Sequence, residues 1–456
     1  MKRIILVAVA LGAFASCATL KTGEYSFRVV TTQDACGRWF DSTFVKPSAR
    51  ASLLAVENVV EPMRGSENVV LVDAGNMGGN GNAAFYYENV AKKSILPEIT
   101  DYLGYDALLP EKSYFKNNGV RFVAAPLDEA RAYAKKHKAH VVIAEVDGNR
   151  FDKDKTELDG IDILIAHNDG RTYSKMIGNT LVIDAGRGVR KAGSANVILD
   201  FKGRKLVGKK VEGGLVSVDS DITPRARERF NGAYAAVTEF SHSVVGHLDV
   251  DLDVKEAFNG QSDYINFYQS LALGYPGVDL CFSSFLALDG KIAKGDIVYN
   301  DIIKTLYPFD NRITVLSLSG EEVRMFLEAS YDLQIQFQTG AGKPSPANFE
   351  FGGGINYTVD VNKPYGERVV ISSFADGRPF ALDKRYNVAM TSYRALGAGW
   401  LLDKAGLKTT ADIKARVVEE GPYFKTLLYE YLKANPNLTR ERISDPKVVG
   451  EWKYIR

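Results

Sequence analysis

The stretch Leu127-Asp128-Glu129-Ala130-Arg131-Ala132-Tyr133-Ala134-Lys135-Lys136-His137-Lys138-Ala139-His140-Val141-Val142-Ile143-Ala144 changes character part way along. Leu127 to Lys138 has helical composition. Val141 to Ala144 is a short uninterrupted apolar run, the pattern of a strand buried on both faces. Comparable short strands read on either side: Phe27-Arg28-Val29-Val30 and Val69-Val70-Leu71-Val72 before it, and Ile163-Leu164-Ile165, Leu181-Val182-Ile183 and Val197-Ile198-Leu199 after it. Strands alternating with helical sequence predict an α/β or α+β domain over residues 25–222.

Thr223 to Phe240 is rich in Arg, Glu and Ala and predicts a connecting helix, within a boundary segment 223–254. A second domain is expected over 255–456. Its clearest helix starts at Ser319, where Ser319 and Glu322 form an S-x-x-E capping box that satisfies free backbone N–H groups. Val323, Phe326, Leu327 and Ser330 then share one helical face. Tyr386 to Met390 alternates as a strand, and Gly397 to Gly399 reads as a flexible loop.

A chain of 456 residues accommodates two or three domains. Its 57 basic and 56 acidic residues nearly cancel. That balance, with no long run of like charge, argues against a nucleic-acid groove, which needs a local excess of Lys and Arg. No repeat or low-complexity tract is present. Gly75 to Gly81 is glycine-rich after a strand but lacks the Gly-Lys-Ser/Thr ending of a phosphate loop. No Gly-x-Ser-x-Gly elbow occurs.

The N-terminus reads as an export signal over residues 1–17. Lys2 and Arg3 form a positive region, and Ile4 to Phe14 is apolar but too short to span a bilayer. Phe14-Ala15-Ser16-Cys17 resembles a bacterial lipoprotein cleavage box, so Cys17 is the expected lipidation site. The lipid would anchor the protein to a membrane and place it in the periplasm or at the outer membrane. Cys36 and Cys281 remain, far apart in sequence and read as isolated buried thiols. There is no CxxC and no zinc-ligand spacing.

Ordered motifs across about 190 residues of the second domain carry a resemblance. Gly260-Gln261-Ser262-Asp263-Tyr264 leads to Phe267-Tyr268-Gln269 and Gly277-Val278-Asp279. Lys294-Gly295-Asp296-Ile297 leads to Leu306-Tyr307-Pro308-Phe309-Asp310-Asn311, and Leu318-Ser319-Gly320-Glu321 follows. The strongest stretches are Gly354-Ile355-Asn356-Tyr357-Thr358-Val359-Asp360-Val361, continued by Lys363-Pro364-Tyr365-Gly366-Glu367-Arg368, and Tyr386 to Arg394. They resemble the C-terminal domain of the periplasmic 5'-nucleotidase and 2',3'-cyclic-nucleotide 2'-phosphodiesterase family. The resemblance implies a metallophosphatase-like four-layer αββα sandwich, joined by a helix to a 5'-nucleotidase C-terminal-like α/β domain. In that family two aromatic rings of the second domain sandwich the base. Tyr393 matches one position, and Phe349 or Phe351 is the candidate for the other. A base offers a flat face worth about 1–3 kcal/mol when stacked. The family's substrate arginine has no counterpart; Ser283-Ser284-Phe285-Leu286 and Asp289 stand there.

The family's first domain holds two divalent cations that clamp phosphate and activate water, on clustered Asp, His and Asn at strand ends. Here Asp34 is kept, but Cys36 stands in place of a His. Asn76, in Asp73-Ala74-Gly75-Asn76, replaces the bridging carboxylate, and a neutral amide does not offset two dications. Lys112 and Ser113 stand where Asn and His belong, and Val146 fills the slot of a single His. His167 remains, followed by Asn168 and by Asp169 in place of the last His. The whole chain has five histidines, His137, His140, His167, His242 and His247, of which only His167 falls in a motif. His137 and His140 read as an exposed helix end. The expected function is therefore nucleotide or nucleoside binding by a periplasmic lipoprotein related to nucleotide catabolism. Its phosphoesterase site is inactive and without a cofactor, and an active paralogue is a possible partner. The alternative is an active enzyme with one zinc or manganese on Asp34, Cys36, Asn76, His167 and Asp169.

Overall fold

The computed structural model describes residues 20–45, 50–79, 81–168, 170–284, 291–307 and 309–456. The expected signal segment with Cys17, and the ligand candidate Asp169, lie outside them. Chain contacts divide the molecule into two units, residues 1–237 and 238–456.

The apolar runs of the first unit form two sheets. One contains β1 (Gly23–Thr32), β2 (Asn68–Asp73), β3 (Ala107–Leu108), β10 (Lys191–Lys202) and β11 (Lys205–Ser217), in the order β11-β10-β1-β2-β3. The other contains β4 (Ser113–Asn117), β5 (Val120–Pro126), β6 (Val141–Asp147), β7 (Ile163–His167), β8 (Tyr173–Ile177) and β9 (Thr180–Asp184), in the order β4-β5-β6-β7-β9-β8. Strand alternation assigns each side chain to a layer. Phe27, Val29, Val70, Phe122, Ile143, Ile163 and Leu181 meet in one core shared by both sheets. Val30 and Leu71 face the opposite way and pack on Leu53, Leu54, Ile99 and Leu103. Val123, Val142, Leu164 and Val182 cover the outer face of the second sheet with Ala130. Helices on both outer faces of two packed sheets make a four-layer α/β/β/α sandwich.

Local chemistry sets the covering helix Leu127–His137. Asp128 and Glu129 lie in its first turn and Lys135, Lys136 and His137 in its last, each complementing the helix dipole. Lys138 ends it in a left-handed conformation (φ 52°). His140, expected at an exposed helix end, is buried instead, because the chain turns back into β6 and carries its ring under Phe201.

The expected single connecting helix is two helices, Pro224–Arg229 and Asn231–Ser241, broken at Phe230. Phe230 is buried and packs edge-on against Tyr102. Asn231 and Gly232 directly follow it, and both are weak helix formers.

In the second unit, a five-stranded sheet runs in the order Glu350–Gly353, Leu280–Ser284, Arg385–Thr391, Arg312–Ser319, Val417–Tyr423. Ser319 caps the helix Gly320–Thr339 as the sequence predicts: its side chain accepts from the Glu322 N–H and the Glu322 carboxylate accepts from the Ser319 N–H. Val323, Phe326, Leu327 and Ser330 are all buried. The strand Ile355–Asp360 joins Val369–Phe374 and the C-terminal Trp452–Ile455 in a smaller sheet, where Tyr357 stacks on Trp452.

Candidate functional site

The predicted ligand positions of the first unit converge where parallel strands end. β1 runs into Asp34 and Cys36, β2 into Asn76, and β7 ends at His167. The backbone there is unusual. Asp34, Cys36, Asn76 and Asn168 all have positive φ, at 48°, 48°, 58° and 70°. Non-glycine residues in that region each cost on the order of 1–3 kcal/mol and cluster at functional sites. Gly79 is equally constrained, since a Cβ on it would overlap the Cys36 carbonyl.

The side chains bind one another. Asp34 is fully buried, and both its oxygens are used: Oδ1 accepts from Asn76 Nδ2 at 2.7 Å and Oδ2 from the Asn168 N–H at 2.6 Å. Asn76 Nδ2 also lies 3.5 Å from Cys36 Sγ. The buried carboxylate fixes the orientation of the Asn76 amide, because the flipped form would set two acceptors against each other. His167 Nε2 is 2.8 Å from Glu145 Oε2, and its buried Nδ1 has no hydrogen-bond partner and stands 4.0 Å from Asp34 Oδ1. Burial opposes charge on the ring, but the Glu145 hydrogen bond and charge, with Asp34 and Asp147 behind it, outweigh burial and raise the His167 pKa.

A supporting network holds the loops. Gln33 donates to the Ala166 carbonyl and to Asp184 and accepts from the Ala185 N–H, tying the end of β1 to the second sheet. Asp73 accepts from Thr32 Oγ1 and the Gly75 N–H. Burial pushes the Asp73 pKa up to about 7 against these bonds.

A pair of divalent cations needs anionic ligands between the metals; Asn76 is a neutral amide and donates to the adjacent Asp34 carboxylate. Among the described residues, no three His, Cys, Asp or Glu side chains come together in metal-binding geometry. Lys112 pairs with Glu129 at the surface. Cys281 is buried and Cys36 is only half-buried, where the sequence suggested two buried thiols. Glu145 was missed by sequence reading, which stopped at Val146. On a strand the adjacent residue faces the other way, and Glu145 is the one turned toward His167.

In the second unit the structure keeps one aromatic candidate at the surface and withdraws two. Tyr393 is 50% exposed, on a short helical turn after the strand Arg385–Thr391. Phe349 and Phe351 are corrected to core residues: Phe349 packs edge-on against Phe337 and Phe258, and Phe351 packs against Trp452 and Tyr331. Sequence reading missed Arg394. It is fully buried and bonds Glu350 Oε1 at 2.8 Å, the Ala347 carbonyl at 2.8 Å and the Ala398 carbonyl. Its guanidinium lies 5.6 Å from the Tyr393 ring centroid. Trp400, 73% exposed with φ 64°, was missed as well.

Comparison with known proteins agrees with this architecture. The 5'-nucleotidase C-terminal domain model matches residues 244–403. A Treponema pallidum protein named "Probable 5'-nucleotidase" is 29% identical over 173 residues, 36% of this chain and 27% of that protein. The 2',3'-cyclic-nucleotide 2'-phosphodiesterase/3'-nucleotidase of Salmonella typhimurium is 28% identical over 127 residues, 24% of this chain and 20% of that protein. The matched region thus spans less than a third of these relatives' length. Among solved structures, a Staphylococcus aureus protein assigned as a 5'-nucleotidase superposes with TM-score 0.58 at 18% identity, covering 95% of this chain and 100% of that one. Haemophilus influenzae NAD nucleotidase superposes with TM-score 0.58 at 14% identity, covering 96% and 100%. The chain has the mixed α/β two-domain fold of 5'-nucleotidase structures. The stretch that matches the family model lies within its second unit.

Proposed function

We propose that the chain binds a nucleotide or nucleoside through its second unit, and that its first unit does not perform two-cation phosphoester hydrolysis. The hydrogen bond from Asn76 to Asp34 carries this reading. It spends a would-be ligand on an internal partner and leaves the bridging position without charge. Tyr393 supplies the exposed ring for stacking on a base. Export as a lipoprotein on Cys17, to the periplasm or outer membrane, belongs to the same proposal, as does partnership with an active paralogue.

One observation favours a second reading. The orphaned Nδ1 of His167 faces Asp34, so a single zinc or manganese on Asp34, Cys36, His167 and Asp169 is the competing proposal. One set of measurements separates the two. Calorimetry with adenosine and AMP reads binding, and Tyr393→Ala is expected to weaken it by about 1–3 kcal/mol. Hydrolysis of AMP and 2',3'-cyclic AMP is then assayed with zinc, manganese, cobalt or magnesium. Metal-dependent turnover that disappears in His167→Ala overturns the non-catalytic reading. Absence of any nucleoside or nucleotide binding overturns the binding reading.

A further inference from the structure

The chain has three tryptophans, and they are not placed alike. Trp39 and Trp452 are buried, whereas Trp400 is 73% exposed. Aromatic side chains dominate cores and interfaces because each removes a large apolar area from water, so an indole left in solvent calls for an account. Among the described residues, the Trp400 ring stacks on no other ring and its indole N–H has no hydrogen-bond partner. Leu396, on the same loop, is 71% exposed, and Tyr393 opens that loop half-exposed.

The loop is held in place, although Gly397 to Gly399 reads as flexible in the sequence. The Leu396 N–H donates to the Ser392 carbonyl at 3.0 Å, the Gly397 N–H to the Arg394 carbonyl at 2.9 Å and the Trp400 N–H to the Gly397 carbonyl at 3.3 Å. The buried Arg394 guanidinium ties the two rings to one support. It lies 5.6 Å from the Tyr393 ring centroid and donates to the Ala398 carbonyl, in the turn that presents Trp400. A Cβ on Gly399 would overlap Arg394 Nη1 and Asn348 Oδ1, so the backbone passes directly over the guanidinium. Leu401 and Leu402 are buried and fix the far side. Trp400 itself is left-handed, with φ 64° and ψ 8°. A bulky residue adopts that region at a cost in free energy, and it stays there where its surroundings over-determine it. Glycine would occupy the position without that cost. Stability therefore explains neither the residue nor its exposure.

Rings fixed in advance lose little freedom when they capture a ligand. The charge beside them is already met, because Arg394 is paired with the buried Glu350. The surface thus offers π faces and apolar area without net charge, which suits a neutral planar ring rather than a phosphate. Stacking strengthens with overlap, and a bicyclic purine covers the bicyclic indole better than a pyrimidine does. We propose that Trp400 is a base-binding and specificity-determining residue: with Tyr393 it forms a stacking surface that selects purine over pyrimidine nucleosides. The proposal rests on the nucleoside reading. It supplies the second ring from the loop of Tyr393 itself, Phe349 and Phe351 being in the core.

The test uses the full chain. Trp400 is the exposed tryptophan, so iodide quenching of tryptophan fluorescence reports on its ring. Adenosine is expected to shield it from iodide, uridine to shield it less, and ribose not at all. Calorimetry is expected to show tighter binding of adenosine than of uridine. Trp400→Gly is expected to weaken adenosine about tenfold or more and to bring the two nucleosides close to equal affinity. The same variant is expected to keep or raise the melting temperature, because glycine accepts the left-handed backbone; a residue kept for structure would lower it. Trp400→Phe is expected to retain part of the affinity. Adenosine binding as tight in Trp400→Gly as in the unaltered chain overturns the assignment and leaves the nucleoside reading standing. Adenosine binding that leaves iodide access unchanged does the same. Equal affinity of the unaltered chain for adenosine and uridine overturns the selection of purines. No binding of either nucleoside overturns both the assignment and the reading beneath it. Shielding that grows with protein concentration, without nucleoside, marks the patch as a contact between copies and overturns it too.

Discussion

Replacing Arg394 by Met tests the buried polar core of the second unit. Arg394 and Glu350 are 1% and 3% exposed, with Nε 2.8 Å from Oε1. Burial is the larger influence on Glu350 and raises its pKa even beside Arg394, whose charge and hydrogen bond pull it down. Methionine matches the length of the arginine stem but leaves Glu350 and the Ala347 and Ala398 carbonyls without their donor. Breaking a buried pair in this way costs about 3–5 kcal/mol. For a unit spanning residues 238–456, that corresponds to a melting shift of roughly 6–20 °C. The sign of the pH effect is fixed. Without the guanidinium, burial alone acts on Glu350, and its folded-state pKa rises further above the unfolded value. Stability is then retained below the unfolded pKa and lost as pH rises through the folded one. Scanning calorimetry at pH 5 and pH 8 is expected to show a larger loss at pH 8. A shift below about 2 °C at both values refutes the argument. So does a double variant Arg394→Met/Glu350→Met that is no more stable than the single one.

Three further outcomes follow from burial and backbone geometry. Asp73, with its pKa raised to about 7 by burial, makes the folded state lose stability as pH rises from about 4 to 7; Asp73→Asn is expected to flatten that part of the unfolding profile. His140, held down to about 4 by burial and by the charges of Arg121 and Lys209, makes stability fall as pH drops from about 6.5 to 4; His140→Gln is expected to remove that decline in an acid titration followed by circular dichroism. Gly450 has φ 80° and ψ −176°, and a Cβ there would overlap the Ile355 carbonyl oxygen, so Gly450→Ala is expected to cost more than about 2 kcal/mol by urea unfolding. Gly260→Ala, with φ 151° and open space around it, is the comparison expected to cost less.

The sheets of the first unit were legible because they are covered on both faces. Val141 to Ala144 and Ile163 to Ile165 read as unbroken apolar runs for that reason. The Ser319 cap was legible because both its bonds lie within three residues. The candidate sites were legible only in part. Asp34, Cys36, Asn76 and His167 do come together, but the partners of Asp34 lie 42 and 134 residues away in the chain, and no local pattern announces them. Phe349 lies just before the strand Glu350–Gly353 and Phe351 within it, and both are buried, yet Glu350 between them is buried too, because Arg394 meets it from 44 residues away. Alternation assigns faces, and only the tertiary partner says whether both faces are covered. His140 illustrates the same point: its lysine-rich surroundings suggested solvent, and the return of the chain into β6 placed it under an aromatic ring.

The left-handed conformations of Asp34, Cys36, Asn76 and Asn168 bear on what substitution at these positions can do. Gln33, Gly79 and the Gly188 N–H to Asp34 hold the loops in these conformations. Substitutions at Cys36 and Asn76 therefore act on a scaffold already shaped to converge side chains on one point. The same loops are a ready frame for installing new chemistry without rebuilding a strand.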